Sequence, residues 1–224
     1  MSCYNEADYI IDTLDTVLRA AQEVGLSYEI IVIDDFSRDN SRDLVADYIA
    51  AHPEQRIMLR ANLTNRGLAQ SYLDGAFIGR GKYYRLVCGD NAEPIASIIS
   101  VFRAIGEADT IVPYYVSSEG KSLIRRLISS TYTGLVNLVT GNRLHYYNGL
   151  AVHLRHNVMR WHPNTRGFGF QAGVLCLLKE IRVTTVEQRR GKSNALTFRN
   201  FLSVTHTLIE IANRRLSNRL YRPR

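Results

Sequence analysis

Cysteine is scarce in this 224-residue chain. The three present, Cys3, Cys88 and Cys176, lie far apart and form no CxxC pair. That excludes a disulfide framework and fits reduced thiols in a cytosolic compartment. Long apolar runs are missing too. No stretch reaches the roughly 18 consecutive apolar residues of a membrane span, and no secretory signal is read at the start. Internal repeats and low-complexity linkers are absent. The six histidines show no metal-ligand spacing, and "HLRH" (153–156) is expected at the surface. Acids are scarce in one half only. Residues 116–224 hold 4 Asp/Glu against 18 Lys/Arg, whereas residues 1–115 hold 17 against 10. The formal charge of +7 therefore hides an acidic half and a strongly basic one, which closes on "RRLSNRLYRPR". Such a swing points to an anionic partner for the second half: phosphate, nucleic acid or a lipid surface.

What is present is ordinary for one globular domain. The chain is 46% hydrophobic and 22% charged, and it is long enough to bury a core. In the first half, helices and strands alternate. Asn5 is expected to cap a helix in which Ile10, Leu14, Val17, Ala21 and Val24 share a face and Gly25 ends the run. Residues 28–34, "YEIIVID", read as a strand buried on both faces. A helix over 41–52, a strand over 56–60 and a helix over 67–80 follow. Then come a strand over 83–88, a helix over 94–106 opened by Pro94, and a strand over 109–115. This alternation predicts an α/β fold with a mainly parallel sheet and helices on both faces. The second half reads as a long amphipathic helix over 122–139, short Gly-, Asn- and His-rich elements, and a helix over 171–180. A strand over 181–188 and a helix over roughly 197–216 complete it. The two halves, 1–115 and 116–224, are expected to form one domain.

In an open α/β sheet, ligands gather beyond the carboxyl ends of the strands. The loops expected there are "DDFSRDNS" with Asp34, Asp35, Ser37 and Asp39, "NLTNRGLA" with Asn65, Arg66 and Gly67, and "GDNAE" with Gly89, Asp90, Asn91 and Glu93. Each alone suits a turn or a helix cap. Three on one edge point to a site. Carboxylates there can accept from ribose hydroxyls or a base N–H, or hold a hard divalent cation that bridges to a diphosphate.

These segments, with "YNEADYI" (4–10), resemble the ordered motifs of family 2 glycosyltransferases of the GT-A fold. "SLIRRLISSTYTGLVNLVTG" (122–141), "YNGLAVHLRHNVM" (147–159), "GFGFQAGVLCLL" (167–178) and "EQRRGKSNA" (187–195) extend the resemblance to the polyprenyl-phosphate branch, typified by dolichol-phosphate mannosyltransferase. The resemblance covers nearly the whole chain. It implies that Asp35 contacts the nucleotide base or ribose, with Tyr4, Asn5, Glu6, Asp34, Ser37, Asn65, Gly67 and Gly89 beside the nucleotide. Asp90 falls on the second acid of the family's metal-binding pair, with Asn91 or Glu93 as further ligands for Mg²⁺ or Mn²⁺. Arg189, Arg190 and Ser193 match a basic segment that closes over phosphates. Arg125, Arg126, Ser129, Arg143, Gln171 and Ser193 are expected on the side that positions an anionic acceptor.

Two departures stand out. The family's leading acid is Cys88 here, a soft and poor ligand for Mg²⁺. Only Met1, Ser2 and Cys3 precede Tyr4, so the N-terminal strand is expected to be truncated or missing from the centre of the sheet. Near "GFGFQ", where hydroxyl-acceptor enzymes need a carboxylate base, the chain has Gln171, which cannot take a proton. A phosphate acceptor is already largely ionised at neutral pH. The expected function is thus an inverting, metal-assisted transfer from a UDP- or GDP-linked sugar to polyprenyl phosphate, with peripheral contact at the cytoplasmic membrane face and no nucleic-acid partner. The alternatives are transfer to a saccharide or glycolipid hydroxyl, and a non-catalytic protein that binds nucleotide or nucleic acid.

Overall fold

The computed structural model describes residues 1–115, 123–147, 149–161, 170–177 and 183–188, with Ile209, Ala212 and Asn213 near the C-terminus. Strand β2 (Ile30–Asp34) is a run of β-branched residues ending in an acid, and all five are buried. It pairs in parallel with β3 (Ile57–Ala61) on one side and with a two-residue strand, β1 (Ser2–Cys3), on the other. The centre of the sheet is therefore filled, by a strand of two residues: the N-terminal strand is truncated, as one of the two expectations had it, and not missing. Asp35 N donates to Cys3 O (2.8 Å), Ser2 N to Val87 O (2.9 Å) and Gly89 N to Ser2 O (2.9 Å). A parallel bridge between Ser2 and Cys88 thus joins β1 to the segment that continues β4 (Tyr83–Arg85). The α-amino group of Met1 donates to Ile31 O (2.7 Å), and burial pushes its pKa down to about 6.

The remaining strands are β5 (Thr110–Tyr115), β6 (Val152–Leu154) and β7 (Val183–Gln188), and the lateral order is β3-β2-β1-β4-β6-β5-β7. The pairs β1–β2, β2–β3 and β5–β7 are parallel, but β6 runs antiparallel between β4 and β5. A three-residue strand carries too little pattern to be read from sequence. Its middle residue, His153, is buried and shares a hydrogen bond with Thr110 Oγ1 (3.1 Å). Burial pushes its pKa down to about 4. This corrects the expected surface placement of His153; His156 is exposed.

Helices cover both faces. On one, Ile10, Leu14, Val17 and Leu18 of α1 (Ile10–Val24) pack with Val45 of α2 (Ser41–Ala51) and with Ile98 and Ile99 of α4 (Ile95–Arg103), over Ile30, Val32 and Val87. On the other, Ala69, Tyr72, Leu73 and Ala76 of α3 (Leu68–Ile78) meet Leu86. Val158 of α6 (Arg155–Met159) and Phe170 and Val174 of α7 (Phe170–Leu177) complete that cluster. Adjacent Leu86 and Val87 thus serve opposite faces, as strand geometry requires. Helix α5 (Leu123–Thr140) buries Tyr132 and Val136 against Val112, Tyr147 and Ala172. Asn5 does not cap α1. The helix begins at Ile10, and Asn5 lies in the preceding loop with φ of 56°. Its side-chain oxygen is taken by Arg38 N (2.8 Å). Most of the expected helix near 197–216 lies outside the described residues.

Candidate active site

The loops that follow β1, β2 and β3 and the one that follows residues 86–88 lie side by side at the carboxyl edge of the sheet. Each holds one residue with a left-handed backbone: Asn5 (φ 56°), Phe36 (φ 70°), Gly67 (φ 85°) and Asn91 (φ 46°). Among the described residues, no other non-glycine residue has positive φ. Such conformations cost free energy and concentrate at functional sites.

Hydrogen bonds lock the loops together. Asn5 N donates to Ser37 Oγ (3.0 Å), Glu6 N to Ser41 Oγ (2.8 Å) and Ala7 N to Asp39 Oδ2 (3.1 Å). Asp35, 5% exposed, binds the third loop. Its Oδ1 accepts from Asn62 Nδ2 (2.8 Å) and Arg66 N (2.8 Å), and its Oδ2 from Gly67 N (2.7 Å). Asn65 Nδ2 reaches the Asp35 carbonyl (3.2 Å). Asp35 was expected to contact base or ribose directly. Its carboxylate also shapes the 62–67 turn, with two bonds accepted at Oδ1 and one at Oδ2. Asp34, 3% exposed, accepts from Ser37 N at Oδ2 (3.3 Å), while its Oδ1 is buried with no hydrogen-bond partner among the described residues. Tyr4 is exposed.

The fourth loop starts at Gly89, where a side chain is excluded. A Cβ would come within 2.9 Å of both Ile10 Cδ1 and Ser2 O, and 3.2 Å from Glu6 Cγ. Thr13 Oγ1 donates to the Gly89 carbonyl (2.9 Å), fixing the turn from the start of α1. Asp90 follows, exposed, with Oδ1 accepting from Ala92 N (3.2 Å). Glu6 faces this acid. Burial pushes the Glu6 carboxyl up to about 7, and the charges of Asp90 and then Asp39 add to the shift. Burial also pushes the Cys88 thiol up to about 12, with Asp90 again contributing. Cys88 thus stays protonated at neutral pH and is no ligand for a hard cation.

Glu93 is corrected. Its carboxylate is paired with the Arg85 guanidinium, with the two side chains 12% and 6% exposed. Arg85 Nε also donates to Leu150 O (3.0 Å), and the guanidinium lies 5.9 Å from the centre of the Phe102 ring. Glu93 is therefore an anchor of the loop rather than an offered ligand. Asp90, with Glu6 beside it, remains as hard oxygen chemistry suited to a divalent cation. Among the described residues no cluster of three His, Cys, Asp or Glu exists. A cation here would take its other ligands from the diphosphate and water.

The expected acceptor side is less complete. Ser129 is half-buried on α5, Arg143 is exposed, and Gln171 is buried at the start of α7. Arg125 and Arg126 belong to α5, but their side chains lie outside the described set, as do Arg189, Arg190 and Ser193. Sequence reasoning missed Arg85, which carries no motif, and Thr13, which sits on a helix 76 residues from the glycine it holds.

Dolichyl-phosphate beta-glucosyltransferase of Dictyostelium discoideum is 35% identical over 94 residues, 40% of this chain and 29% of that protein. Undecaprenyl-phosphate 4-deoxy-4-formamido-L-arabinose transferase of Shewanella sediminis is 27% identical over 157 residues, 70% and 47% of the two chains. The chain thus spans less than half the length of these curated relatives. Among solved structures, mannosyl-3-phosphoglycerate synthase from Rubrobacter xylanophilus superposes with a TM-score of 0.73 at 15% identity, covering 100% of this chain and 75% of that one. Glucosyl-3-phosphoglycerate synthase from Mycobacterium tuberculosis, solved with Mn²⁺, UDP-glucose and phosphoglyceric acid, gives 0.65 at 13% identity, covering 95% and 78%. These neighbours show the GT-A fold. The model of Glycosyl transferase family 2 matches residues 1–159, and the chain belongs to that family.

Proposed function

We propose that the protein transfers a sugar from a UDP- or GDP-linked donor to polyprenyl phosphate, with inversion at the sugar carbon. The observation that carries this is the carboxyl edge itself: four interlocked loops that present Asp90, bury Asp34 and shape a turn around Asp35. The relatives named for dolichyl and undecaprenyl phosphate support the acceptor class. The loops after β1, β2 and β3 bind the nucleoside, and the Gly89–Asp90 turn faces the diphosphate. A divalent cation held by Asp90, as Mn²⁺ accompanies UDP-glucose or GDP-mannose in solved neighbours, would neutralise charge on the leaving diphosphate. The Gly89 turn, pinned by Thr13 and Ser2, keeps Asp90 in one place for this. Gln171 offers no base, and none is needed, since the acceptor phosphate oxygen is already anionic at neutral pH.

Helix α5 supports peripheral membrane contact. Leu135 and Leu138 are exposed on it, 45% and 80%, and its N-terminal part carries Arg125 and Arg126. Among the described residues no helix is long and apolar enough to cross a membrane. Such a helix can lie in the headgroup layer, where anionic lipid at the cytoplasmic face would meet the basic half.

The test is an acceptor panel with Mn²⁺ and radiolabelled UDP- and GDP-sugars. Label should move to undecaprenyl or dolichyl phosphate. Transfer to 3-phosphoglycerate or a glycan hydroxyl instead would refute the acceptor assignment. No transfer with any pair, together with tight salt-sensitive nucleic-acid binding, would refute catalysis by this chain.

A further inference from the structure

Glycine and asparagine occupy the left-handed region at low cost; a bulky aromatic does not. Of the four left-handed residues at the carboxyl edge, Phe36 (φ 70°) is the outlier. Its conformation is enforced from both sides. Asp35 before it is fastened to the 62–67 turn, and Ser37 and Arg38 after it are held by Asn5. Packing does not repay this strain. Phe36 is 45% exposed and belongs to none of the hydrophobic clusters among the described residues. The adjacent loops repeat the pattern, with Tyr4 45% and Leu63 91% exposed. Asp34, at the end of β2 between these loops, has a buried Oδ1 with no hydrogen-bond partner among the described residues. Exposed apolar side chains on three neighbouring loops, on an edge that also holds an unpartnered acceptor, suit a flat ring system with an N–H on its edge.

We infer that Phe36 forms a wall of the nucleobase subsite, its ring covering a face of the donor's base, and that the strained backbone is kept for this purpose. The inference rests on the nucleotide-sugar reading above. It assigns Phe36 to base recognition and leaves diphosphate binding to the Asp90 side. The test is calorimetric binding of UDP, GDP and inorganic pyrophosphate, each with Mn²⁺, to the wild-type chain, Phe36→Gly and Phe36→Tyr, with thermal melts of all three. Phe36→Gly should weaken the better-bound nucleotide about tenfold, as loss of an aromatic stacking partner does. It should leave pyrophosphate binding unchanged and should not lower Tm, because glycine relieves the strain. Phe36→Tyr should restore nucleotide affinity to within about twofold, since the ring face is kept. Unchanged nucleotide affinity in Phe36→Gly would overturn this inference while leaving the donor reading intact. An equal loss of pyrophosphate binding, or a lowered Tm with parallel loss of both ligands, would make Phe36 a scaffold residue. Failure of the wild-type chain to bind either nucleotide would overturn the donor reading itself.

Discussion

Replacing Glu93 with leucine should destabilise the protein far more than replacing Glu93 and Arg85 together. The two charges sit almost out of water, 12% and 6% exposed at the side chain. With Glu93 gone, the guanidinium keeps, among the described residues, the Leu150 carbonyl and the Phe102 ring face, and its Nη1 already has no partner there. Breaking a buried pair on one side costs about 3–5 kcal/mol, whereas an apolar replacement of both partners is often close to neutral. For a chain of this length about 1 kcal/mol moves Tm by roughly 2–4 °C. Glu93→Leu should therefore lower Tm by on the order of 10 °C, and Arg85→Met with Glu93→Leu by only a few degrees. The assay is a double-mutant cycle read by calorimetry and urea melts. Because Glu93 closes the loop that starts at Gly89, the single variant should also raise the Mn²⁺ concentration needed for half-maximal activity, and the double variant should recover part of it. Additive single and double effects, within about 0.5 kcal/mol, would refute the claim that the pair acts as a unit.

Gly89→Ala should cost on the order of 2 kcal/mol and abolish turnover, because the new methyl meets backbone at Ser2 O and the Ile10 side chain at 2.9 Å; chemical denaturation and an activity assay check both. His153 should make the fold acid-sensitive. Its folded pKa is about 4 against an ordinary 6.5. The stability it confers is complete above pH 6.5 and is lost as pH falls towards 4, by about 2 kcal/mol between pH 7 and pH 5. Glu6, with a raised pKa, acts in the opposite direction below pH 7. The comparison is therefore wild type against His153→Gln by urea melts at both pH values; equal pH dependence in the two would contradict the assignment.

Much of the scaffold was legible because its signals are periodic. The apolar spacing of Ile10, Leu14 and Val17 marks α1, and the four consecutive β-branched positions Ile30 to Ile33 before Asp34 mark a strand buried on both faces. The site edge was legible as composition: acids, amides and glycines after three strands. Its internal division of labour was not. Asp34 and Asp35 are adjacent and chemically identical, and only their partners separate them, since Asp35 meets groups 27 to 32 residues away. Glu93 looked like a ligand because Arg85, across the turn, gives no motif. His153 looked like surface because β6 is three residues long and its antiparallel neighbours are distant in sequence. The two-residue β1 was expected only as a truncated or missing strand, since a strand that short has no pattern of its own and is defined by the hydrogen bonds of its neighbours.

The proposed transfer depends most on Asp90 and the divalent cation proposed to sit on it. The most direct measurement is sugar transfer to polyprenyl phosphate by wild type and Asp90→Asn over a Mn²⁺ titration, with UDP or GDP release followed in parallel. Wild type should show metal-dependent transfer, and Asp90→Asn should lose at least about a hundredfold in rate, the scale of one transition-state electrostatic contact, with no loss of Tm because the side chain is exposed. Near-normal transfer by Asp90→Asn, or transfer by wild type that ignores Mn²⁺ and chelators alike, would contradict it.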